Sequence, residues 1–574
     1  MPAIIEIDHL HYHPPSLAPD APDILYDICL RIDGGAFIAI IGENGSGKTS
    51  LIKHINGLIL PTKGLVRVDG IDTQDIEKRQ RLHTLVGMVF QNPADQIVSS
   101  TVEEDVAFGL ENANLPFDII RERVTEQLAA SELTSEAQRP PHLLSGGQIQ
   151  RLALAGVLAR HPKVILFDEP TSMLDPLSRK NFLDRIYALH NQGMTVIYVT
   201  HHMEETIHAD QIVVLKDGRV ARQGPPSEIF LNGNNLHEIG LEKPETVKLA
   251  EMFREFGWDI PPHNLTTADL MASLPEYKWE ISNDFRNQAE AGHDPLVEID
   301  NVHYSYLAGS PLEKKALTGV NLTIEKGNVH SLAGTNGSGK STLLQHINGI
   351  LRPARGHVKV ADLVVEDLET PLKEIIKKVG LVFQNPETQF FEVFVGDEIA
   401  YGPKQFGMPD VKDRVRQVMS QLGLDFEAFK DRRLETLSGG EKRKVALAST
   451  LVLDQDLLLF DEPTAGMDPR ARDDLLRLFQ GLHEKGKSIV IASHRLDELA
   501  VVSKSISIMV GGKIDASGAT WDILTDIDQM TEAGMEPPLS VLVGKSLMDK
   551  GWPLQRQDII TSNNLIQAIS EVMK

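Results

Sequence analysis

Gly42-Glu43-Asn44-Gly45-Ser46-Gly47-Lys48-Thr49 follows the apolar run Phe37-Ile38-Ala39-Ile40-Ile41 and leads into a helix-compatible stretch from Thr49 to about Asn56. A strand, a glycine-rich loop and a helix in that order make a phosphate cradle. The glycines let backbone N–H groups turn inward onto phosphate oxygens. Lys48 adds a point charge, and the Thr49 hydroxyl can hold Mg²⁺. The positive end of the helix dipole faces the same anion. The pattern returns as Gly334-Thr335-Asn336-Gly337-Ser338-Gly339-Lys340-Ser341 after Val329-His330-Ser331-Leu332-Ala333. The next residues, Ser50 and Thr342, extend each run. Two nucleoside triphosphate sites, each with Mg²⁺, are expected.

A chain of 574 residues holds several domains at ~150 residues each, and each can bury its own core. The formal net charge of −24 argues against a surface built to grip nucleic-acid phosphates, so no nucleic acid is expected as a partner. Cys29 is the single cysteine. It predicts a strand residue and excludes an intramolecular disulfide and a cysteine metal cluster. The N-terminus lacks a basic region, apolar core and small-residue cleavage site. No apolar run approaches the roughly 18 residues of a spanning helix. A membrane role would come through a partner.

Ile4–Leu10 and Ile24–Ile32 alternate as strands, with Asp33-Gly34-Gly35 as a hairpin-like turn. His9, His11 and His13 fall at period two on one predicted strand face. They read as a histidine-rich edge rather than a metal site, because no carboxylate or cysteine completes a set. Further on, Val86-Gly87-Met88-Val89-Phe90 runs into Gln91, and a strand-end Gln can reach bound Mg²⁺ or an attacking water. Leu144-Ser145-Gly146-Gly147-Gln148 opens a helix whose N–H groups can meet an anion. With no strand before it, it suggests a surface that completes a neighbour's nucleotide site. Val164-Ile165-Leu166-Phe167-Asp168-Glu169-Pro170 reads as a buried parallel strand ending in two carboxylates. Asp168 is placed to hold Mg²⁺, and Glu169 to polarise a water for in-line attack on the γ-phosphate. The strand Thr195–Thr200 ends at His201, which could contact the γ-phosphate.

This ordered set resembles the ATP-binding cassette (ABC) ATPases, and it occurs twice. Lys48 to Lys340 is a step of 292; Gln91 to Gln384, Ser145 to Ser438, Asp168 to Asp461 and His201 to His494 are each 293. Such a repeat is a tandem duplication. The resemblance implies an α/β fold of two tandem P-loop NTPase domains, each with a helical subdomain. It implies catalytic Glu169 and Glu462, assisted by Gln91, Gln384, His201 and His494. Thr49, Gln91, Asp168, Ser341, Gln384 and Asp461 would surround Mg²⁺. An aromatic near the first strand, Tyr306, would stack on adenine. Pro14 stands at that position in the first copy, leaving His13 or Tyr12 in the role, or a weaker grip on the base. Both copies keep the full polar set, so two hydrolytic sites are expected.

Gly240-Leu241-Glu242-Lys243-Pro244 and Trp258 return as Gly534-Met535-Glu536-Pro537-Pro538 and Trp552, each 294 residues on. Each cassette therefore carries a small, mostly helical accessory tail. The expected domains are cassette 1 at 1–231, tail 1 at 232–281, a linker at 282–295, cassette 2 at 296–523 and tail 2 at 524–574.

The segments Phe90-Gln91-Asn92-Pro93-Ala94-Asp95-Gln96-Ile97 and Phe383-Gln384-Asn385-Pro386-Glu387-Thr388-Gln389-Phe390, with the repeated tails, resemble the ATPases of energy-coupling factor (ECF) importers of vitamins and transition-metal ions. That resemblance implies a membrane scaffold protein, a membrane substrate-binding subunit and a peripheral place on the cytoplasmic face of the cell membrane. It implies cassettes paired head to tail within the chain. Ser438-Gly439-Gly440 would then cover ATP at Lys48, and Ser145-Gly146-Gly147 would cover ATP at Lys340. Glu103, Glu104, Asp105, Asp397 and Glu398 are expected to receive basic side chains from the scaffold. The alternative is a twin-cassette ATPase acting on the ribosome. Its usual charged helical arm is not matched by 231–295, which carries 12 Asp and Glu against 5 Lys and Arg and is broken by prolines.

Overall fold

The computed structural model describes residues 3–15, 22–172, 174–231, 236, 241–261, 265–277, 294–310, 313–367, 369–465, 467 and 469–573. Asn232–Asn235 and all but the last two residues of the expected linker lie outside them. The chain divides into two units, Met1–Leu274 and Pro275–Lys574.

In the first unit, β1 (Ala3–Tyr12), β2 (Leu25–Asp33), β4 (Lys63–Val68) and β5 (Ile71–Asp72) form an antiparallel sheet in the order β2-β1-β4-β5. A second sheet holds β3 (Phe37–Gly42), β6 (Val86–Val89), β7 (Val164–Asp168), β8 (Thr195–Val199), β9 (Gln211–Lys216) and β10 (Arg219–Gly224). Its order is β10-β9-β3-β8-β7-β6, parallel except for β10. Asp33-Gly34-Gly35 is therefore not a hairpin; it carries the chain from one sheet to the other. The physical reason lies in the two strands it joins. β2 alternates buried and exposed residues, whereas β3 is buried throughout and needs cover on both faces. The helices Val102–Asn112, Phe117–Ala130 and Gly146–Leu158 pack around their own apolar cluster, with Val106, Leu110, Leu128 and Leu152 at its centre. The expected helical subdomain is present.

The second unit repeats this plan. β11 (Pro295–Tyr306), β12 (Lys314–Glu325), β14 (Arg355–Val360) and β15 (Leu363–Val364) form a sheet in the order β12-β11-β14-β15. β13 (Val329–Ala333), β16 (Val379–Val382), β17 (Leu457–Asp461), β18 (Ser488–Ser493), β19 (Ser505–Val510) and β20 (Lys513–Ala519) form the other, in the order β16-β17-β18-β13-β19-β20.

Both tails are helical where described: Glu245–Glu255 and Thr267–Ala272 in the first unit, and Ile527–Glu532, Leu539–Asp549 and Ser562–Val572 in the second. Thr266 and Thr561 cap equivalent helices, accepting from the N–H groups of Asp269 and Asn564. Trp258 stacks on Phe253, and Trp552 Nε1 donates to the Pro275 carbonyl at 3.0 Å. Leu241 and Val247 belong to the same apolar cluster as Phe37 and Tyr198, so the first tail shares its cassette's core.

The histidines of β1 do not share one face. His9 has φ 51 beside a register shift between Ile7 and Leu10, and the bulge turns it away from its neighbours. His11 and His13 instead approach Asp23, at 3.5 and 3.3 Å. Cys29 is a strand residue as expected, but it is exposed and stands beside His9 with Asp27. A carboxylate and a cysteine do complete a set, contrary to the expectation from spacing; strand pairing brings them in from 18 and 20 residues away.

Candidate functional site

The carboxyl ends of β3, β8, β7 and β6 lie side by side, and each delivers one predicted group. β3 leads into the glycine loop, β8 into His201, β7 ends at Asp168 before Glu169, and β6 leads into Gln91. Ligands of open parallel sheets bind at this edge because loops there converge while the strands stay rigid.

Gly45 and Gly47 hold φ 83 and 99. At φ 99 Gly47 needs glycine's conformational freedom, and a Cβ there would also crowd the Ile24 carbonyl at 3.1 Å. The helix Lys48–Ile55 starts at that glycine with no side-chain cap, leaving its first N–H groups aimed into the loop. Lys48 Nζ is buried and donates to the carbonyls of Gly42 and Glu43, at 2.9 and 3.0 Å. Lys340 repeats this on Gly334 and Thr335, at 2.7 and 3.1 Å, below a helix that starts at Gly339 with φ 106. Ser46 Oγ and Ser338 Oγ are buried without a hydrogen-bond partner among the described residues. A cradle with buried donors and a cation fits a polyphosphate.

Thr49 Oγ1 donates to Asp168 Oδ1 at 2.9 Å. Burial raises the Asp168 carboxyl, and the neighbouring Glu169 charge adds to that against the Thr49 hydrogen bond. Burial likewise pushes Asp461 up to about 6, although Ser341 hydrogen-bonds it. Asp461 Oδ1 has no partner among the described residues. A hydroxyl beside a buried, destabilised carboxylate is a donor set suited to a hard divalent cation. Mg²⁺ held there would neutralise charge on the β- and γ-phosphates.

Glu169 receives Gln91 Nε2 at 3.0 Å, and His201 Nε2 lies 2.5 Å from its other oxygen. Glu462 meets His494 Nδ1 at 3.0 Å and Lys340 Nζ at 3.5 Å. Burial works to raise the Glu462 carboxyl, but the His494 hydrogen bond and the His494 and Lys340 charges hold it below its ordinary value. Both glutamines are exposed, but Gln384 differs from Gln91 in its contact: its backbone carbonyl accepts from Arg443 at 3.4 Å, whereas the Gln91 side chain reaches the glutamate. The structure thus brings Gln91, Glu169 and His201 together in the first unit, and Lys340, Glu462 and His494 in the second.

Ser145 and Ser438 each form a capping box, with Gln148 and Glu441 respectively. Gly146, Gly439 and Gly440 have open space where a Cβ would stand, and Gly147 meets only Ser178. These helix starts present bare backbone. Tyr306 lies beside its cradle, with its hydroxyl 3.1 Å from Thr342 Oγ1 and its ring edge-on to Tyr304. Tyr304 packs on His346, and Tyr12 packs on His54 in the same way. Tyr12 is thus the packing tyrosine that matches Tyr304, which leaves His13, or a weaker grip on the base, opposite Tyr306.

The acidic residues expected to greet a scaffold are occupied. Asp105 accepts from the N–H groups of Val98 and Ser99, at 2.9 and 3.2 Å. Glu398 is buried and accepts from Phe391 and Glu392, at 2.9 and 2.8 Å. Glu104 caps its helix with Thr101, Glu103 accepts from Gln138, and Asp397 pairs with Lys404. Asp105 and Glu398 hold their loops in shape because those backbone N–H groups have no strand to satisfy them. Beside them stand exposed apolar groups, Val98 and Phe108 in one unit and Phe391 stacked on Tyr401 in the other.

Two buried acids stand outside the motifs, one in each unit. Glu205 is buried and accepts from Thr171, Tyr198 and Thr200 hydroxyls at 2.7, 2.8 and 2.6 Å. It ties the segment after Glu169 to the strand that carries His201. Glu498 does the same with Thr464 and Arg495. The signal was present, since each acid stands four residues after its histidine.

Among the described residues no helix is long and apolar enough to cross a membrane. Residues 25–172 and 317–465 each match the ABC transporter family. A putative ABC transporter ATP-binding protein of Caldanaerobacter subterraneus subsp. tengcongensis is 32% identical over 91% of this chain and 93% of its own. The energy-coupling factor transporter ATP-binding protein EcfA1 of the same organism is 46% identical, over 44% of this chain and 91% of its own. The solved structure of cbiO1 from Clostridium perfringens, described as part of the ABC transporter complex cbiONQ, is 28% identical and covers 44% of this chain and 100% of its own, at TM-score 0.38. Matched by the family twice and by a full-length relative nearly end to end, the chain belongs to the ABC transporter family: it is an ATP-binding protein of two cassettes that hydrolyses ATP.

Proposed function

We propose that this chain energises an ECF-type importer of a vitamin or transition-metal ion from the cytoplasmic face of the membrane. The observation that carries this reading is the 46% identity to EcfA1 over 252 residues, which spans 91% of that protein. The repeated tail supports it. A ribosome-acting twin-cassette ATPase has no comparable observation in its favour.

In this reading the two cassettes pair head to tail, so that the bare helix starts at Ser438-Gly439-Gly440 and Ser145-Gly146-Gly147 complete the cradles of Lys48 and Lys340. Lys48 and Lys340 bind the β- and γ-phosphates. Thr49, Asp168, Ser341 and Asp461 hold Mg²⁺, with Gln91 and Gln384 reaching the same region. Glu169 and Glu462 orient and deprotonate the attacking water. His201 and His494 sit against those glutamates and hold their side chains for attack. Tyr306 stacks on adenine at the second site. Partners are a membrane scaffold protein and a membrane substrate-binding subunit. The scaffold docks on the apolar groups Val98, Phe108, Phe391 and Tyr401, next to the loops that follow Gln91 and Gln384.

A detergent pull-down of the tagged chain from its own membranes tests this. It is expected to bring a very hydrophobic scaffold and a small membrane protein, and to lose both with Phe108→Asp plus Phe391→Asp. Ribosomal proteins with no membrane partner would overturn the importer reading and leave the ATPase intact.

A further inference from the structure

We infer that His9, Asp27 and Cys29 form a binding site for a borderline-soft divalent cation of the Zn²⁺ class, on the outer strands of the first antiparallel sheet. One ligand atom from each of the three lies within 4.8 Å of the others. His9 Nδ1 is 2.7 Å from Asp27 Oδ1 and 3.7 Å from Cys29 Sγ. The edges of a tetrahedron with Zn–N and Zn–S bonds are about 3.3–3.8 Å. The nitrogen–sulfur distance already matches, and the short nitrogen–oxygen contact holds a proton that a cation would replace. The His9 backbone N–H also donates to Cys29 Sγ at 3.3 Å, which holds the sulfur beside the imidazole. All three side chains are exposed, so solvent can supply the fourth ligand.

The second cassette separates what the fold requires from what this cluster adds. Its equivalent residues are Asn301, Gly319 and Asn321, each 292 positions on. The backbone is the same, with φ 47 at Asn301 and 71 at Gly319 against 51 at His9 and 54 at Asp27. The Asn301 N–H donates to Asn321 Oδ1 at 2.9 Å, as the His9 N–H does to sulfur. The paired left-handed residues therefore belong to the architecture. Glycine meets that conformation most easily, yet the first cassette places an aspartate there and adds imidazole and thiol beside it. A sulfur, a nitrogen and an oxygen donor together suit Zn²⁺ and not Mg²⁺, which takes oxygen ligands. This cation site is chemically distinct from the two nucleotide sites. Binding expels the proton shared by His9 and Asp27 and the thiol proton, so it weakens in acid.

The test uses the full chain, stripped of metal, without nucleotide and in a non-chelating reductant, titrated with Co²⁺ and then Zn²⁺. One equivalent of Co²⁺ is expected to give a thiolate-to-cobalt charge-transfer band, bleached by Zn²⁺, and Zn²⁺ is expected to slow alkylation of Cys29. His9→Asn, Asp27→Gly and Cys29→Asn install the residues of the second cassette at matching backbone positions. Each is expected to weaken binding at least tenfold, with ATP hydrolysis retained. His11→Ala plus His13→Ala is expected to leave the band unchanged. Absence of the band with unprotected Cys29, or Co²⁺ binding that survives Cys29→Asn and is lost with His11→Ala plus His13→Ala, would overturn the assignment.

Discussion

Glu169 and Glu462 both occupy the left-handed backbone region, at φ 45 and 44. A bulky residue pays ~1–3 kcal/mol for such a conformation, which persists only where the surroundings enforce it. Here the Glu169 N–H donates to the Val199 carbonyl and the Glu462 N–H to the Ala492 carbonyl, which fixes the backbone that carries each carboxylate. Replacing either with Gln keeps the shape and removes the proposed base. Glu169→Gln and Glu462→Gln are each expected to lower ATP turnover, and the double variant to lower it by roughly 10²–10⁴. Phosphate release measured on all three decides it; wild-type turnover in Glu169→Gln alone would mean that the first site does not hydrolyse. Asp461 sets a pH dependence. Its carboxyl titrates near 6 in the fold against an ordinary 3.8, so the folded state keeps a proton that the unfolded chain has released. Nucleotide-free stability should therefore fall by ~3 kcal/mol as pH rises from about 4 to above 6. Mg²⁺ needs the ionised form, so Mg²⁺-dependent nucleotide affinity at this site should fall as pH drops below 6. Asp461→Asn should remove both effects, read by thermal melts and by titration.

At the level of the element, the two central strands are not chemical copies. β3 carries Ile38 where β13 carries His330, a step of 292. His330 is fully buried, and burial pushes it down to about 4 from 6.5. Its ring nitrogens meet Ser505 and Ser507 at 2.7 and 3.0 Å. The unfolded chain takes up a proton between pH 6.5 and 4 that the folded strand refuses. The contribution of His330 should thus be fully present above pH 6.5, with ~3 kcal/mol lost as pH falls toward 4. This runs opposite to the Asp461 effect over much of the same range. His330→Ile, the residue of β3, should flatten the acid side of the stability curve measured by urea denaturation. Ser505 and Ser507 keep Asn328 and Ser517 as partners, so the variant strands no hydroxyl. The loops after β6 and β16 show a similar division. Asp105 and Glu398 look in sequence like a charged docking face, but their carboxylates are spent on backbone N–H groups, and exposed apolar side chains remain.

At the level of the whole molecule, the proposed pairing makes each catalytic centre a product of both cassettes. A cycle of double variants measures that. Ser438→Arg should silence the site of Glu169, so adding Glu169→Gln should cost nothing more, whereas adding Glu462→Gln should abolish the remaining turnover. The reverse pattern would mean that each cassette completes its own site. Much of this was legible without coordinates. The loops at Lys48 and Lys340, the carboxylate pairs, the strand-end histidines and the repeat spacing are local patterns, and local patterns survive in a linear text because each is built from neighbouring residues. What stayed illegible depends on residues far apart in the chain. That Asp33-Gly34-Gly35 changes sheets, that Gln91 touches Glu169 while Gln384 does not, that Glu205 gathers three hydroxyls, and that Cys29 and Asp27 close on His9 are all consequences of strand pairing and burial. A bulge rotates a side chain by breaking the period of two, and a buried charge draws its partners from whichever elements pack against it. Neither event leaves a mark on the spacing of residues.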